Sequence, residues 1–509
     1  MSITSFVFWV FLLVCIALFY LLPKKWQWFY LLCFSIFFFI ACSGLSMLPY
    51  LVAGVIVSWG GGILIANQED DKKRKLLIVI VVILVFGELA FLKYGRMAVE
   101  TINIISSIFG RNDIIEYVVL LAPIGISYYT LSLIGYVLEV YWGSYEAEKN
   151  PLKILLFATF FPQLTSGPVT RYEEVCVQLY GQRSFDYRRI LSGVQRILWG
   201  LFKKLVIADR VAPWVATVYN DPVTYTGFYV AVAVVLFSVQ LYTDFSGCMD
   251  IILGVSEMFD IKLPENFDTP FFSQTMAEFW RRWHITMGLW FKDYLLYPIQ
   301  KSFFMRKMTK KLKKVFGKNA SKLISQSLTM LVVWIAIGIW HGGEYKFILC
   351  SGLIPGFYLI MGHIFEPLFS KLNELFHINT EAISWRVFRM IRTYFLCLTF
   401  WVFLKANNIK HGIIMIKSML SDFNPWILFD GEIYELGMTW KDFNIIYIGV
   451  LLIFLVGLFH YNGIKIRDKI SKQNICAQWI ITILALFSVV IFGIYGPGYD
   501  AVDFIYQAF

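Results

Sequence analysis

Apolar residues in this chain come in long unbroken blocks rather than in alternating or amphipathic stripes. Blocks of roughly 18–25 apolar residues fill one hydrocarbon thickness as helix. Candidates lie near 4–22, 26–42, 47–66, 76–92, 117–141, 190–208, 227–257, 324–340, 345–366, 386–405, 443–461 and 476–495. The pattern predicts an all-α, polytopic integral membrane protein with about 10–12 transmembrane helices, because irregular backbone cannot face lipid. Some blocks, 190–208 above all, are expected to lie flat as amphipathic interfacial helices or to re-enter. The first block lacks a basic stretch before it and a small-residue cleavage site after it, so it reads as a retained span.

The middle of the chain departs from this pattern. Segment 151–172 is apolar but broken by Pro162, Gly167 and Pro168. Broken backbone at membrane depth is tolerated where it is buried in protein or lines a wet cavity. Two readings stand: a kinked helical hairpin, or a re-entrant element lining a cavity. No internal repeat joins the two halves. We therefore divide the chain into N-terminal helices (1–116), a central core (117–366) and C-terminal helices (367–509).

Composition agrees with the blocks: 58% of the 509 residues are hydrophobic and 16% charged, against about 25% charged in soluble domains. That excludes soluble multidomain, disordered and disulfide-rich secreted classes. The net charge is +10. Residues 301–322 carry nine Lys/Arg and no acid, nearly the whole excess. Beside apolar spans, such a block reads as a cytoplasmic loop facing anionic membrane lipid, not as a nucleic-acid site. Lys24 and Lys25 after the first block, and Lys72 to Lys75 after the third, place the N-terminus outside a multi-pass protein of the cell (inner) membrane. The eight cysteines are scattered without a CxxC pair, which suggests neither a disulfide framework nor a metal site.

Polar residues inside apolar blocks are expensive and mark candidate sites. Asp244 sits in VLFSVQLYTDFSGCMDIILGV and needs a cation or several donors. Arg281 or Arg282 is the expected partner, making Asp244 a structural buried charge. His341 closes LTMLVVWIAIGIW before Gly342-Gly343, roughly 25 Å along a helix from the cytoplasmic side. It is either a packing histidine or a functional one. His284 falls inside an apolar face running from Met276 to Tyr294 with helical spacing. It is either the wet tip of an aromatic-rich interfacial helix or a functional imidazole. His363, His377, His411 and His460 lie in polar connections or near block ends, as solvated or interfacial groups. GxSxG, GxGxxG, P-loop and HExxH motifs are absent, which leaves a histidine-based acyl- or proton-transfer site.

These residues belong to a longer series. It runs from Ala122-Pro123-Ile124-Gly125-Ile126-Ser127-Tyr128-Tyr129 through Phe161-Pro162-Gln163 and Ser166-Gly167-Pro168 to Asp244-Phe245-Ser246-Gly247. Leu263-Pro264-Glu265-Asn266-Phe267, Phe279-Trp280-Arg281-Arg282-Trp283-His284-Ile285 and Trp340-His341-Gly342 follow. The series resembles the membrane-bound O-acyltransferase family, in the bacterial polysaccharide branch similar to alginate O-acetyltransferase.

The resemblance implies that His341 is the catalytic intramembrane histidine and His284 a second functional one. Trp283, Arg282, Trp340 and Asn266 are then assigned to the donor site or to a tunnel through a thin part of the fold. It further implies no bound cofactor or metal. The co-substrate is a cytoplasmic acyl thioester, acetyl-CoA or an acyl carrier protein, and an extracytoplasmic acyltransferase or acceptor is the partner. Thioester-to-alcohol transfer needs a base for the hydroxyl proton, and a neutral imidazole supplies one. O-acetylation of a cell-surface or exported polysaccharide is the expected function. D-alanyl transfer to teichoic acid is the enzymatic rival, and a lipid-linked glycan transporter the rival of another class.

Overall fold

The computed structural model describes residues 1–110, 115–116, 120–496 and 504, and every regular element among them is helical. Residues 117–119, at the expected boundary between N-terminal helices and core, lie outside the described residues, as does most of 497–509. Nine helical stretches among the described residues are long and apolar enough to cross a membrane. The chain is a multi-pass, all-α membrane protein.

The N-terminal part contains α1 (Phe6–Leu21), α2 (Gln27–Ser43), α3 (Leu48–Ala66) and α4 (Asp71–Ile108). Asp70 caps α4 through its carboxylate to the Lys72 and Lys73 amides. It suits a helix that opens on a run of lysines. The core starts with α5 (Ile126–Trp142), entered through Gly125 in the left-handed region. A Cβ there would sit 2.0 Å from the Leu164 carbonyl, so only glycine fits.

The broken segment becomes α6 (Pro151–Thr159), the single turn α7 (Phe161–Leu164) and an extended stretch, buried without interruption from Leu156 to Thr170. Its irregular backbone is wrapped in protein, as the absence of water demands. After α8 (Tyr172–Tyr180), α9 (Tyr187–Leu201) covers most of the apolar block at 190–208. Its last turns widen into a π-helical stretch, Phe202–Ala208, before α10 (Asp209–Asn220).

The 31-residue α11 (Phe228–Met258) is the axis of the core. Gly193 meets Gly254, and Gly200 meets Gly247, closely enough that a Cβ on any of the four would lie 2.5–2.8 Å from the opposing backbone oxygen. Two such contacts, two helical turns apart, clamp α9 onto α11 backbone to backbone, the small-residue device of membrane helices.

The clamp answers the question of Asp244. Its partner is neither Arg281 nor Arg282 but Lys204, at 2.6 Å, which also binds Asp209 at 2.9 Å. The next residue, Lys203, binds Asp250 at 2.5 Å and Ser246 at 3.0 Å, and Arg196 reaches Asp250 and Glu265. The π-helical stretch turns both adjacent lysines toward α11. Arg281 is exposed, and Arg282 is paired with Glu278.

The face expected from Met276 to Tyr294 is not one helix. It is split into α12 (Met276–Arg282) and α13 (Ile285–Phe291), with the chain continuing through a π-helical turn into α14 (Tyr297–Lys301). The basic segment is helical rather than a loop. Lys, Leu and Met are good helix formers, and Ser302 caps the new helix at the Met305 amide. This helix, α15 (Phe303–His341), reverses at Gly317, whose φ of 77° only glycine adopts readily, and Thr309 bonds Ser325 across the bend. The lysine-rich arm therefore folds back on the arm that carries His341.

The remaining helices are α16 (Tyr345–Ile348), α17 (Ile354–Leu375), α18 (Ile383–Lys405), α19 (Ile409–Ser421), α20 (Trp440–Tyr461), α21 (Ile466–Ser471) and α22 (Ile475–Phe492). Gly338 of α15 packs against Ile348 and Gly352, drawing the π-helical turn before α17 onto the end of the His341 arm.

Candidate active site

His284 stands at the break between α12 and α13, in a left-handed conformation (φ 50°, ψ 51°) rare for any residue but glycine. The loop Leu263–Thr269 holds it there. Phe267 pairs with Trp283 as an isolated antiparallel bridge, and the Asp268 amide donates to the Arg282 carbonyl. Asn266, fully buried, does the rest. Its main-chain oxygen accepts from the Ile285 amide, and its Oδ1 accepts from the Thr286 amide (3.1 Å) and hydroxyl (2.9 Å). It thereby caps α13 from another segment.

The same oxygen lies 3.3 Å from His284 Nδ1. With Oδ1 an acceptor, Nδ1 carries the proton and Nε2 is the basic nitrogen. His284 lies between helices, outside the nine candidate spans. Burial, and secondarily the charge of His341, hold its pKa well below the ordinary imidazole value. Of the two readings of His284, the wet interfacial tip on a continuous helix does not hold: His284 is 1% exposed.

His341 ends α15. A Cβ on Gly342 would lie 2.3 Å from the Phe347 ring, and one on Gly343 2.6 Å from the Lys93 carbonyl. Both glycines are needed for close approach by neighbours, which locks the turn beyond His341. The two imidazoles, 57 residues apart in sequence, have ring centroids 6.5 Å apart. Phe245 packs edge-on against His284 at 4.9 Å, and Trp340 touches both rings.

Between the histidines lies a small chamber of about 20 Å³, lined by Trp280, Trp283, His284, Met287, His341, Cys350, Ser351, Phe400, Trp401 and Leu404. Besides the imidazoles, the polar groups on its wall are the Ser351 hydroxyl, the Cys350 thiol and the indole nitrogens. Among the described residues, no carboxylate, ammonium or guanidinium lines it. Such a chamber sets two imidazoles side by side in a small, largely aromatic wall. It is a place for proton transfer at a carbonyl.

The residues singled out from sequence divide by position. Trp283 lines the chamber with the two histidines. Trp340 packs behind them, held by an indole contact to the Ser127 carbonyl and an edge-on Tyr128. Asn266 orients His284 from outside the wall. Arg282 points away, to Glu278, Thr269 and the face of Tyr461. Asp244 belongs to the ionic network of α9 and α11.

Sequence reasoning missed the aromatic wall from α18 and Ser351. In an apolar block, nothing distinguishes a chamber-facing Trp401 from a lipid-facing one. It also missed Lys93, Lys203 and Lys204, although a lysine inside an apolar block is the same costly signal as Asp244.

A family model described as the membrane-bound O-acyltransferase family matches residues 147–404, which contain both histidines. The chain is 30% identical to a probable alginate O-acetylase of Azotobacter vinelandii over 344 residues, covering 67% of this chain and 62% of that protein. It is 28% identical to a peptidoglycan O-acetyltransferase of Helicobacter pylori over 427 residues, 79% of this chain and 74% of that one. Identity to a teichoic acid D-alanyltransferase of Bacillus subtilis is 27% over 290 residues, 56% of this chain and 69% of that one.

Proposed function

Because the chain belongs to the membrane-bound O-acyltransferase family, we propose that it moves an acetyl group from a cytoplasmic thioester across the membrane, for O-acetylation of a cell-surface or exported polysaccharide. The carrying observation is the pair of buried imidazoles on one small, aromatic-walled chamber.

The chemistry closes on the chain's own residues. The acceptor hydroxyl oxygen attacks the thioester carbonyl carbon while His341 takes its proton. The carbon–sulfur bond breaks, and the leaving thiolate takes the proton back, so no net proton is consumed. General-base assistance of this kind is worth about 10²–10⁴-fold. Trp280, Trp283, Phe400 and Trp401 keep out the water that would hydrolyse the thioester.

The chamber is small, about 20 Å³, which suits a short acyl group rather than a fatty one. Its lining bears on acetyl against D-alanyl. A D-alanyl ester carries an ammonium, which buried away from water calls for a carboxylate, and among the described residues none lines the chamber. The donor is then acetyl-CoA or another acetyl thioester, and an extracytoplasmic acyltransferase completes transfer to the polymer.

The test is to measure acetate and D-alanine esters released by mild base from the surface polymers of a strain lacking the protein. Acetate esters should be lost, and should stay lost on complementation with His341→Ala. Loss of D-alanine esters with acetate unchanged would overturn the acetyl assignment. No change in either would overturn acyl transfer.

The donor side carries its own prediction. The reading places the N-terminus outside and the lysine-rich arm of α15 in the cytoplasm. Ser321 is buried, but Asn319 beside the bend is exposed. With the exposed Cys33 and Cys476 replaced, Asn319→Cys should resist an impermeant thiol reagent in intact cells and react after permeabilisation. Ready labelling of intact cells would reverse the orientation.

A further inference from the structure

We propose that Lys93 of α4, a residue outside the segment matched by the family model, is a positioning residue of the transfer reaction. It acts by clamping the turn that carries His341. The inference rests on the acyl-transfer reading above.

Lys93 lies in the apolar span of α4, and its Nζ points into the end of α15. It donates to the Ser127 hydroxyl at 2.9 Å and to the Trp340 carbonyl at 2.9 Å, and it sits 5.7 Å from the centre of the Trp340 indole. The Trp340 indole in turn donates to the Ser127 carbonyl. The backbone of Lys93 is used as well, since the close approach of Gly343 is to its carbonyl. Ammonium, hydroxyl, indole and glycine turn therefore make one clamp, built from α4, the start of α5 and the end of α15. Its central strut is bonded to the residue immediately before His341.

A charged side chain within a span is costly and is normally offset by a partner of opposite charge. Among the described residues Lys93 makes no ion pair. Its charge is instead spent on a carbonyl at the C-terminal end of a helix, where unsatisfied backbone oxygens concentrate negative potential. Cation contact with an indole face adds to it. Those interactions fix a helix end, and the helix end fixes His341 relative to His284. Displacements of about 1 Å in such a constellation cost up to about 10²-fold in rate.

The experiment compares purified, folded wild type, Lys93→Met, Lys93→Arg and Ser127→Ala in acyl transfer from labelled donor, normalised to folded protein by size exclusion. Lys93→Met should lose at least about 10-fold in kcat with the donor KM within about twofold, the pattern of an interaction lost from the transition state alone. Lys93→Arg, which keeps a charged donor for the Trp340 carbonyl, should recover a large part of the loss. Ser127→Ala, which takes one partner from the ammonium, should lose a few-fold. Wild-type kcat per folded molecule in Lys93→Met overturns the inference, as does an arginine variant no better than the methionine one. If Lys93→Met does not fold, Ser127→Ala decides: unchanged kcat overturns the positioning role. Absence of transfer by the wild type would instead be a failure of the acyl-transfer reading.

Discussion

His341→Ala should accumulate as folded protein, still bind donor, and lose acyl transfer by at least about 10²-fold. The side chain ends its helix in a turn held by Phe347 packing on Gly342 and by Lys93 behind Gly343, and none of these contacts uses the imidazole. Truncation therefore enlarges a chamber that already exists and leaves the turn in place. His341→Gln keeps a hydrogen-bonding group but accepts no proton at neutral pH, so it should be nearly as inactive as the alanine variant. His284→Ala should behave differently. Its ring lies across the same chamber, held from behind by Asn266, so its loss should disturb how the thioester sits and raise the donor's apparent KM. Acyl transfer from labelled donor by purified variants, with donor binding measured in parallel, separates the two roles. Substantial transfer by His341→Ala would sink its assignment as the base, and a transporter would then account better for the buried polar groups.

The spans were readable because block length is set by bilayer thickness and needs no knowledge of neighbours. The irregular segment around Pro162 and Gly167-Pro168 was readable for the same reason: breaks in an apolar run have few permitted explanations. What defeated sequence reading was local geometry imposed from a distance. The spacing from Met276 to Tyr294 is helical, yet Asn266 supplies capping bonds to Ile285 and Thr286 and pulls the chain open at His284. An asparagine some twenty residues away leaves no mark on that periodicity. The partner of Asp244 was misassigned because it depends on glycine contacts between α9 and α11, and on a π-helical stretch that rotates Lys203 and Lys204 inward. Periodicity assumes 3.6 residues per turn and cannot register the extra residue of a π turn.

These failures share a location. The left-handed His284 and the π-helical turn Leu349–Leu353 line the chamber, and the π-helical stretch Phe202–Ala208 carries the lysines of the ionic network. Local rules are broken where a membrane protein must bring polar side chains together inside hydrocarbon. Departures from the regular pattern are costly and persist where surrounding packing holds them. The N-terminal α1 to α3, which supply no side chain to either, follow the apolar blocks closely.

The ionic network makes the second large prediction, and its order of effects is set by geometry. Lys204 lies between two carboxylates, Asp244 at 2.6 Å and Asp209 at 2.9 Å, and all three side chains are nearly inaccessible. Removing Lys204 leaves two buried carboxylates facing each other across a gap. Removing Asp244 leaves Lys204 still bound to Asp209. Lys204→Met should thus be the more damaging change, costing on the order of 3–5 kcal/mol, the loss expected when one partner of a buried pair is deleted. Asp244→Asn keeps the shape and one acceptor, and should cost about 1–3 kcal/mol. Thermal unfolding of the purified variants in detergent measures the order, and both should keep near-normal transfer per folded molecule, because neither side chain lines the chamber. A stable Asp244→Asn protein that has lost all transfer would move Asp244 from the scaffold to the reaction. Equal destabilisation by the two changes would mean that Asp209 does not share the lysine.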